Sequence, residues 1–381
     1  MKPLQDITVV AIEQAIAAPF ATRQLGDLGA RVIKIERPEG GDFARDYDQR
    51  VGGLSSHFVW CNRNKESVAV DLKSERGLRI AHALIARADV FVQNLAPGAA
   101  QRLGLGFESL HRAHPRLIVC DISGYGMDGP YRDRKAYDLL IQAESGFLSV
   151  TGTADEPVKA GCSIADIAAG MYAYSNVLAA LIERARTGKG KHIDVSLLES
   201  MAEWMGFPMY YGYDGAPPPP RAGAAHATIA PYGPFSTADG EVLLAVQNDR
   251  EWREFCRSVL ERPDTSADPR FLTNPLRVTH REALIDLISN AIGHLSTDQT
   301  VARLERAGIA NARINDVAGL WAHPQLKARE RWTSIRTPMG SVPTLLPPGI
   351  SDARMDAVPG VGEHTQAILA ELGIEPEVAP S

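Results

Sequence analysis

The first 125 residues alternate short apolar segments with helical ones, and this alternation constrains the fold more than any other feature of the chain. Residues 7–12, 31–37, 67–72, 89–95 and 116–123 are β-rich runs with apolar side chains at successive positions. Strands that are apolar on both faces and separated by helices predict a parallel sheet that is covered on both sides. We therefore predict an α/β fold, with a large domain built on a Rossmann-like sheet.

Two helices between these strands are clear in the sequence. Residues 17–30 have helical spacing with Pro19 in the first turn, where proline is tolerated. Residues 74–88 form an amphipathic helix with Ser74 as its N-cap. Because ligands bind at the carboxyl ends of parallel strands, Arg37, Asn94 and the glycines after residue 123 are placed near a site.

Composition excludes several classes of protein. The chain has 381 residues, which favours two domains, and a net charge of −6 without a basic run. This argues against nucleic acid or a membrane surface as a partner. The four cysteines lack metal-ligand spacing, so we predict no metal site and free thiols in a reducing compartment. The N-terminus lacks the apolar core of a signal peptide, and we expect a cytoplasmic protein with no membrane span.

The second half of the chain changes character at a run of four prolines. A long helix over residues 163–187 and a strand over 192–198 precede the run. Hairpin and helix signals follow it, including a capping box at Ser296 and Gln299. The predicted organisation has four parts: a large α/β domain (1–212), a proline-rich linker (213–223), a small α+β domain (224–332) and a C-terminal return to the large domain (333–381).

Residues 124–129 (GYGMDG) match the G-x-G-x-x-G pattern of dinucleotide-binding loops. That pattern needs a helix directly after it, because the helix N-terminus holds the pyrophosphate. Here Gly129 leads into PYRDRKAYD, which contains a proline and a run of charges. We therefore interpret Gly124 and Gly126 as parts of a loop whose backbone passes close to another group.

Asp166 lies three residues after Ser163, at the start of the long helix. Two interpretations stay open from the spacing alone. The carboxylate could satisfy backbone N–H groups and complement the helix dipole, which is worth about 0.5–1 kcal/mol. The same environment also favours an ionised carboxylate, which can attack an acyl carbon.

Seven fragments, in this order, make the chain resemble the family III CoA-transferases, which include formyl-CoA transferase and carnitine CoA-transferase. They are AAPFATRQLGDLGARVIKIERPEGGDFAR, SVAVDLKSERG, VQNLAPGAAQRLG, SGYGMDGPYRDRKAYD, IADIAAGMYA, TGKGKHIDVSLLES and GEHT. The resemblance runs through most of the chain and is densest in residues 1–200. It implies that a coenzyme A thioester is the substrate and that no cofactor is permanently bound.

The resemblance assigns roles to individual residues. Asp166 matches the catalytic aspartate, which would attack the donor thioester and pass through mixed anhydrides and an aspartyl-CoA thioester. Positions that match CoA-binding residues are Ala15, Ile16, Ala17, Arg37, Val70, Lys73, Asn94, Leu95, Arg102 and Lys135. Positions assigned to the acyl and substrate pocket are Gly124, Tyr125, Gly126, Tyr137, Asp138, Arg221 and His226. Converging Lys and Arg side chains suit the phosphates of CoA.

Some positions depart from the family pattern. Ile16 stands where a glutamine is common, which leaves that part of the acyl site in question. RAGAAH at 221–226 is the nearest stretch to the glycine-rich lid of formyl-CoA transferase, so oxalate is not expected as the acceptor. We expect succinyl-CoA as the donor and an itaconate- or mesaconate-like dicarboxylate as the acceptor. Arg221 or His226 could bind the distal carboxylate.

Two rival functions are weighed against CoA transfer. An α-methylacyl-CoA racemase needs a histidine after the glycine loop to move the α-proton, and Tyr137 stands there instead. A CoA-binding protein without turnover would not need Asp166. The resemblance also implies a homodimer of two interlocked, ring-like subunits with active sites between domains.

Overall fold

The structure is a computed structural model, which describes residues 1–375. Residues 376–381, the end of the predicted C-terminal return, lie outside the described residues. The chain forms two compact units. The first consists of Met1–Gly146, Ala160–Gly206 and the chain from Gln325 onward, and the second consists of Phe147–Lys159 and Phe207–Pro324.

A six-stranded parallel sheet forms the centre of the first unit, as the alternating pattern predicts. Its strands, in chain order, are β1 Thr8–Ile12, β2 Arg31–Glu36, β3 Lys65–Ala69, β4 Val90–Gln93, β5 Ile118–Ser123 and β6 His192–Ser196. Their order across the sheet is β3-β2-β1-β4-β5-β6, and every neighbouring pair is parallel. The order reverses direction at β1 and β4, so the loops after these two strands diverge and leave a crevice at the carboxyl edge.

The helices are shorter and more numerous than the sequence patterns indicate. The α-helices, in chain order, are α1 Ala17–Asp27, α2 Ser56–Cys61, α3 Glu75–Ile85, α4 Ala99–Arg102, α5 Phe107–Ala113, α6 Asp138–Glu144, α7 Ile164–Thr187, α8 Leu197–Trp204, α9 Gly206–Tyr211, α10 Asp249–Glu254, α11 Asn274–Thr279, α12 Arg281–Ile292, α13 Thr297–Arg306, α14 Val317–Trp321, α15 Pro324–Ala328 and α16 Thr365–Leu372. Short 3₁₀ helices cover Phe43–Asp46, Phe147–Ser149, Tyr213–Gly215 and Pro263–Ala267, and Phe255–Val259 is a π-helical turn. The predicted N-cap Ser74 accepts a hydrogen bond from the Gly77 N–H.

Helix α7 packs closely against α1 because it has a glycine at the contact. A Cβ atom added to Gly170 would lie 2.7 Å from the Ala17 carbonyl oxygen, closer than side chains approach. Asp166 is one turn before Gly170 and therefore on the same helix face. The close packing brings Asp166 beside the start of α1. Among residues 1–375, α7 alone is long and apolar enough to cross a membrane by length and composition, a test that core helices of soluble proteins also pass.

The second unit has its own apolar core. An antiparallel sheet of β7 Tyr232–Ser236, β8 Glu241–Ala245 and β9 Ala310–Arg313 packs with α10, α12 and α13 around Trp252 and Phe255. Asp239 and Gly240, which follow the prolines and provide the hairpin signal there, lie between β7 and β8. The predicted capping box is present, since Ser296 accepts from the Gln299 N–H and the Gln299 side chain accepts from the Ser296 N–H.

Three segments lie elsewhere than the predicted organisation puts them. The polyproline stretch at 213–223 is inside the second unit, which already begins at Phe207. Phe147–Lys159 also belongs to the second unit, because hydrogen bonds join it to the polyproline stretch, including Gly223 N–H to the Gly152 carbonyl. Residues 325–332 belong to the first unit, whereas the predicted small domain extends to residue 332. They lead into an antiparallel hairpin of β10 Trp332–Thr337 and β11 Gly340–Leu345.

Candidate active site

The N-terminus of α7 is capped by a carboxylate from a different helix. One Asp138 oxygen accepts hydrogen bonds from the backbone N–H groups of Ala165, at 2.8 Å, and Asp166, at 3.3 Å. The other oxygen accepts from the Gln142 side chain at 2.7 Å. Ser163 occupies the N-cap position but makes no capping bond with its side chain. The backbone groups that Asp166 could have satisfied are therefore already bonded.

The Asp166 side chain is left without a partner by this arrangement. No residue in the described range 1–375 donates a hydrogen bond to its carboxylate. Burial, and then the nearby Asp138 carboxylate, raise the pKa of Asp166 to about 7 from 3.8. We expected the helix N-terminus to favour the ionised form, but desolvation outweighs the helix dipole here. A poorly solvated carboxylate that titrates near neutral pH is typical of a functional group rather than of a cap.

Asp166 faces a cavity of about 400 Å³, which we call the Asp166 cavity. Its lining combines the start of α1, the loops after β4 and β5, the 3₁₀ helix at Phe43–Asp46 and the start of α7. The lining residues are Gln14, Ala15, Ile16, Ala17, Phe43, Tyr47, His57, Asn94, Leu95, Ala96, Pro97, Ile122, Ser123, Gly124, Arg134, Lys135, Ala136, Tyr137, Asp138, Ser163, Asp166 and Leu197. Nine of these are positions assigned from the sequence besides Asp166: Ala15, Ile16, Ala17, Asn94, Leu95, Gly124, Lys135, Tyr137 and Asp138.

The glycine loop has glycines for two different reasons. A Cβ atom on Gly124 would lie 2.2 Å from the Ala136 Cβ, so a side chain at position 124 would collide with the chain before α6. Gly126 has a φ of 95°, a conformation that favours glycine. We predicted that the backbone of this loop passes close to another group. At Gly124 that group is a neighbouring segment of the protein, at Ala136. Gly126 lines a neighbouring cavity of about 390 Å³, and Tyr125 packs edge-on against Tyr131.

The loop between β1 and α1 forms another wall of the Asp166 cavity. The Asn94 side chain is bonded to the Gln14 backbone twice, accepting from its N–H at 2.9 Å and donating to its carbonyl at 2.8 Å. The Ala15 N–H donates to Asp42 at 3.1 Å. No acceptor for the Ile16 and Ala17 N–H groups occurs among the described residues. These two groups at a helix N-terminus are suited to stabilise an oxyanion.

A second cavity of about 600 Å³, the Arg37 cavity, shares Gln14 and Leu95 with the Asp166 cavity. Five of the positions assigned to CoA line it: Arg37, Val70, Lys73, Leu95 and Arg102. Arg37 donates two hydrogen bonds to the Gly41 carbonyl, at 3.1 and 2.9 Å, so part of its guanidinium is already engaged. The ammonium groups of Lys73 and Lys135 form no ion pair within residues 1–375. They are available to an anionic ligand.

Arg221 and His226 belong to the second unit, where both are engaged locally. Arg221 donates to the Thr153 and Ala154 carbonyls, each at 2.7 Å. His226 accepts from the Thr228 N–H at 3.2 Å and stacks on Tyr232. These local contacts are enough to explain why both side chains are held in place. That Arg221 or His226 binds the distal carboxylate of a substrate stays a prediction.

Several residues at the cavity were given no role from the sequence. Phe43, Tyr47 and His57 line it from the segment after β2. The His57 ring lies 3.3 Å from Asp48 through Nδ1, and the Tyr47 ring packs edge-on against the imidazole. Burial, then Asp42 and Asp166, raise the pKa of Tyr47 to about 12. Within the described residues no group of three or more His, Cys, Asp or Glu side chains could hold a metal ion.

A profile of the group described as CoA-transferase family III matches residues 4–365. The chain belongs to this family. It is a transferase of the CoA-transferase type, and the resemblance found in the sequence is confirmed. A transferase assignment leaves the CoA-binding protein without turnover unsupported.

Curated relatives include two that act on dicarboxylates by name. Succinyl-CoA:glutarate CoA-transferase of Mus musculus is 35% identical over 379 residues, covering 98% of this chain and 87% of that protein. Succinate–glutarate CoA-transferase of Agrobacterium fabrum is 36% identical, covering 97% and 96%. A crystal structure of a CAIB/BAIF family protein from Brucella suis is 38% identical, with a TM-score of 0.84 over 97% of this chain and 99% of that one. The mixed α/β fold is thereby confirmed.

Proposed function

We propose that this enzyme transfers CoA from succinyl-CoA to a dicarboxylic acid of four or five carbons, with Asp166 as the nucleophile. The observation that carries the proposal is the unpartnered Asp166 carboxylate, which faces a cavity that shares lining residues with the Arg37 cavity. The names of these two relatives give succinate or succinyl-CoA and glutarate, which supports dicarboxylates as a class. Itaconate and mesaconate stay in the proposal beside glutarate, because all three have five carbons and two carboxylates.

The proposed reaction consumes one thioester and forms another, and it passes through free CoA thiolate at each anhydride stage. A carboxylate oxygen of Asp166 attacks the thioester carbonyl, the C–S bond breaks, and the products are a mixed anhydride and the CoA thiolate. The thiolate then attacks the Asp166 carbonyl carbon, which gives an aspartyl-CoA thioester and releases the donor acid. The acceptor carboxylate attacks this thioester, and the two steps run in reverse to yield the new acyl-CoA and free Asp166.

Three groups are suited to assist these steps. The Ile16 and Ala17 N–H groups would bind the oxyanion that forms in each addition. Lys73, Arg102 and Lys135 would pair with CoA phosphates. Asp138, through the N–H groups of residues 165 and 166, holds the start of α7 and so the backbone that carries the nucleophile.

The test is the exchange of isotopically labelled acids into CoA thioesters. Labelled succinate, glutarate, itaconate, mesaconate, oxalate and acetate are each incubated with the enzyme and succinyl-CoA or acetyl-CoA. We expect exchange with the four- and five-carbon dicarboxylates and its loss in Asp166→Asn. Borohydride reduction or hydroxylamine treatment of the acylated enzyme, followed by peptide mapping, should modify Asp166. Activity that survives Asp166→Asn, or a label on another residue, would refute the nucleophile.

A deuterium-exchange experiment on the same purified enzyme distinguishes CoA transfer from the racemase alternative. A racemase exchanges the α-proton of its acyl-CoA with solvent, whereas the proposed transfer leaves all C–H bonds intact. Incubation of succinyl-CoA or a 2-methylacyl-CoA in D₂O is therefore expected to leave the α-carbon unlabelled. Rapid deuterium incorporation would support the racemase.

A homodimer of interlocked subunits and a cytoplasmic location are also proposed. The family resemblance supports the dimer, as do exposed apolar side chains at Phe207, Met209, Tyr210 and Tyr213 in the second unit. Free cysteines at positions 61, 120, 162 and 256 are consistent with a reducing compartment. Sedimentation equilibrium is expected to give twice the chain mass of 41.2 kDa, and a monomer at micromolar concentration would contradict the dimer.

A further inference from the structure

Ala15 has a backbone conformation that alanine rarely adopts. Its φ is 61°, in the left-handed region, where the Cβ atom of an L-residue is crowded by the backbone. It lies in the loop between β1 and α1, directly before Ile16 and Ala17. The loop therefore needs other contacts to keep this conformation.

Asp42 makes the contact that opposes this strain. One oxygen of its carboxylate accepts hydrogen bonds from the N–H groups of Ala15, at 3.1 Å, and Ala44, at 2.9 Å. Asp42 is only 1% exposed, so water does not compete for these bonds. Hydrogen bonds to a buried ionised acceptor are stronger than those between neutral groups.

A buried lysine forms an ion pair with Asp42. The Lys34 ammonium lies 2.8 Å from the second Asp42 oxygen and is itself 0% exposed. It also donates to the carbonyl of Glu13, the first residue of the loop, at 3.1 Å. Lys34 thus connects β2, the end of β1 and Asp42. An unpaired charge at this depth would be strongly disfavoured, so the ion pair fixes where the Asp42 carboxylate sits.

The same carboxylate also holds a second wall of the Asp166 cavity. Through Ala44 it caps the 3₁₀ helix Phe43–Asp46, and the side chains of Phe43 and Tyr47 line the cavity from this turn. The Asp42 N–H in turn donates to Glu36 at 2.9 Å. One buried group is therefore bonded to both the loop that carries the Ile16 and Ala17 N–H groups and the turn that carries the aromatic side chains.

We propose that Asp42 is a positioning residue for CoA transfer: it holds Ala15 in the left-handed conformation that aims the Ile16 and Ala17 N–H groups into the Asp166 cavity. The inference rests on the proposed function, because those N–H groups act on the oxyanion of that reaction. Asp42 touches no reacting atom in this account. Its effect is exerted through the loop, so it should appear in kcat and depend on which residue occupies position 15.

A double-mutant cycle tests this dependence. In Asp42→Asn we expect kcat for succinyl-CoA exchange to fall about 100-fold, as when an oxyanion donor is misplaced, with little change in KM. Glycine adopts positive φ without strain, so in an Ala15→Gly background the same Asp42→Asn change should cost roughly tenfold less. Equal losses in the two backgrounds, or a loss confined to KM, would overturn the inference.

Two further variants separate positioning from general instability. Asp27→Asn breaks a different buried ion pair, with Arg63 at 2.6 Å, and Asp27 lines neither the Asp166 cavity nor the Arg37 cavity. It should lower Tm without the loss of kcat. If Asp42→Asn does not fold, Asp42→Glu keeps the charge beside Lys34 and displaces the oxygen from Ala15. The same dependence on residue 15 is expected for it, and its absence would count against the proposal.

A crystal structure of each Asp42 variant decides the matter without an activity assay. We expect residue 15 to leave the left-handed region in Asp42→Asn and to retain it in the double variant with Ala15→Gly. An unchanged φ at Ala15 in Asp42→Asn would overturn the inference. Failure of the wild-type enzyme to transfer CoA would instead refute the proposed function, and the conformation of residue 15 would still report on Asp42.

Discussion

Two buried regions of this protein are built from different side chains. Five charged side chains lie under the loop that follows β1 and are at most 4% exposed: Glu13, Lys34, Glu36, Asp42 and Lys65. Hydrogen bonds connect them, and Glu36 joins through the Asp42 backbone N–H; we call this group the charge cluster. The core of the second unit is almost entirely aliphatic and aromatic. Its buried polar side chains include Arg277 and Thr300.

The difference shows what each region is required to do. An apolar core stabilises whatever arrangement buries the most surface and tolerates small shifts at modest cost. A buried charge cluster is satisfied in only one geometry, because each unpaired charge is expensive. The charge cluster lies beneath backbone that lines the Asp166 cavity, where the placement of N–H groups matters to within fractions of an ångström.

The largest expected effect concerns Asp166, which belongs to neither region and whose carboxylate accepts no hydrogen bond from residues 1–375. Asp166→Asn should lower kcat by at least about 1,000-fold, as loss of a nucleophile does. It should also stabilise the fold at high pH. The raised pKa means that the folded state holds its proton to about pH 7 while the unfolded state releases it near pH 4, so wild-type stability falls over this window.

Thermal melts from pH 4 to pH 8 test whether Asp166→Asn becomes more stable than wild type as the pH rises. The difference in unfolding free energy between Asp166→Asn and wild type should grow with pH and reach up to roughly 4 kcal/mol above pH 7. A variant that is less stable than wild type at pH 8 would show that the carboxylate has a structural partner.

The next effect compares the two regions directly. Glu13→Gln leaves Lys34 and Lys65 without their shared carboxylate, whereas Leu244→Ala opens a cavity in the core of the second unit. Each should cost about 3–5 kcal/mol of unfolding free energy. Only Glu13→Gln should also lower kcat, measured well below both melting temperatures. Equal activity in the two variants would mean that the charge cluster contributes to stability alone.

A smaller effect is expected on the pH profile. Asp138→Asn can still accept the N–H groups of Ala165 and Asp166 but removes the charge that raises the Asp166 pKa. The rise of kcat/KM with pH, expected near pH 7, should move to lower pH by about one unit. A midpoint that stays at the wild-type value would assign the shift to burial alone.

The smallest effect is expected from Arg221 in the second unit. Arg221→Ala removes two hydrogen bonds to backbone carbonyls and should cost about 1–2 kcal/mol of unfolding free energy. If the sequence-based role is right, KM for glutarate should rise in Arg221→Ala. A KM for glutarate that stays at the wild-type value would leave Arg221 a purely structural residue.

The sequence allowed the parallel sheet to be predicted because each of its central strands is a local run of apolar residues. The helix caps at Ser74 and at Ser296–Gln299 could also be predicted from the sequence, because a capping residue and its partner are only three residues apart. The two interpretations of Asp166 could not be separated in this way. The group that decides between them, Asp138, is 28 residues away in the chain and reaches the helix only through the fold.

The chain itself determined the order of strands and helices, the positions of its caps and its membership of the CoA-transferase family, because these follow from periodicity and from motifs within short stretches. The tertiary structure alone decided which side chains share a cavity with Asp166, which carboxylate caps its helix, and why Ala15 keeps a left-handed conformation. Those properties depend on burial and on contacts between distant segments. Desolvation and hydrogen-bond geometry have no counterpart in a linear sequence.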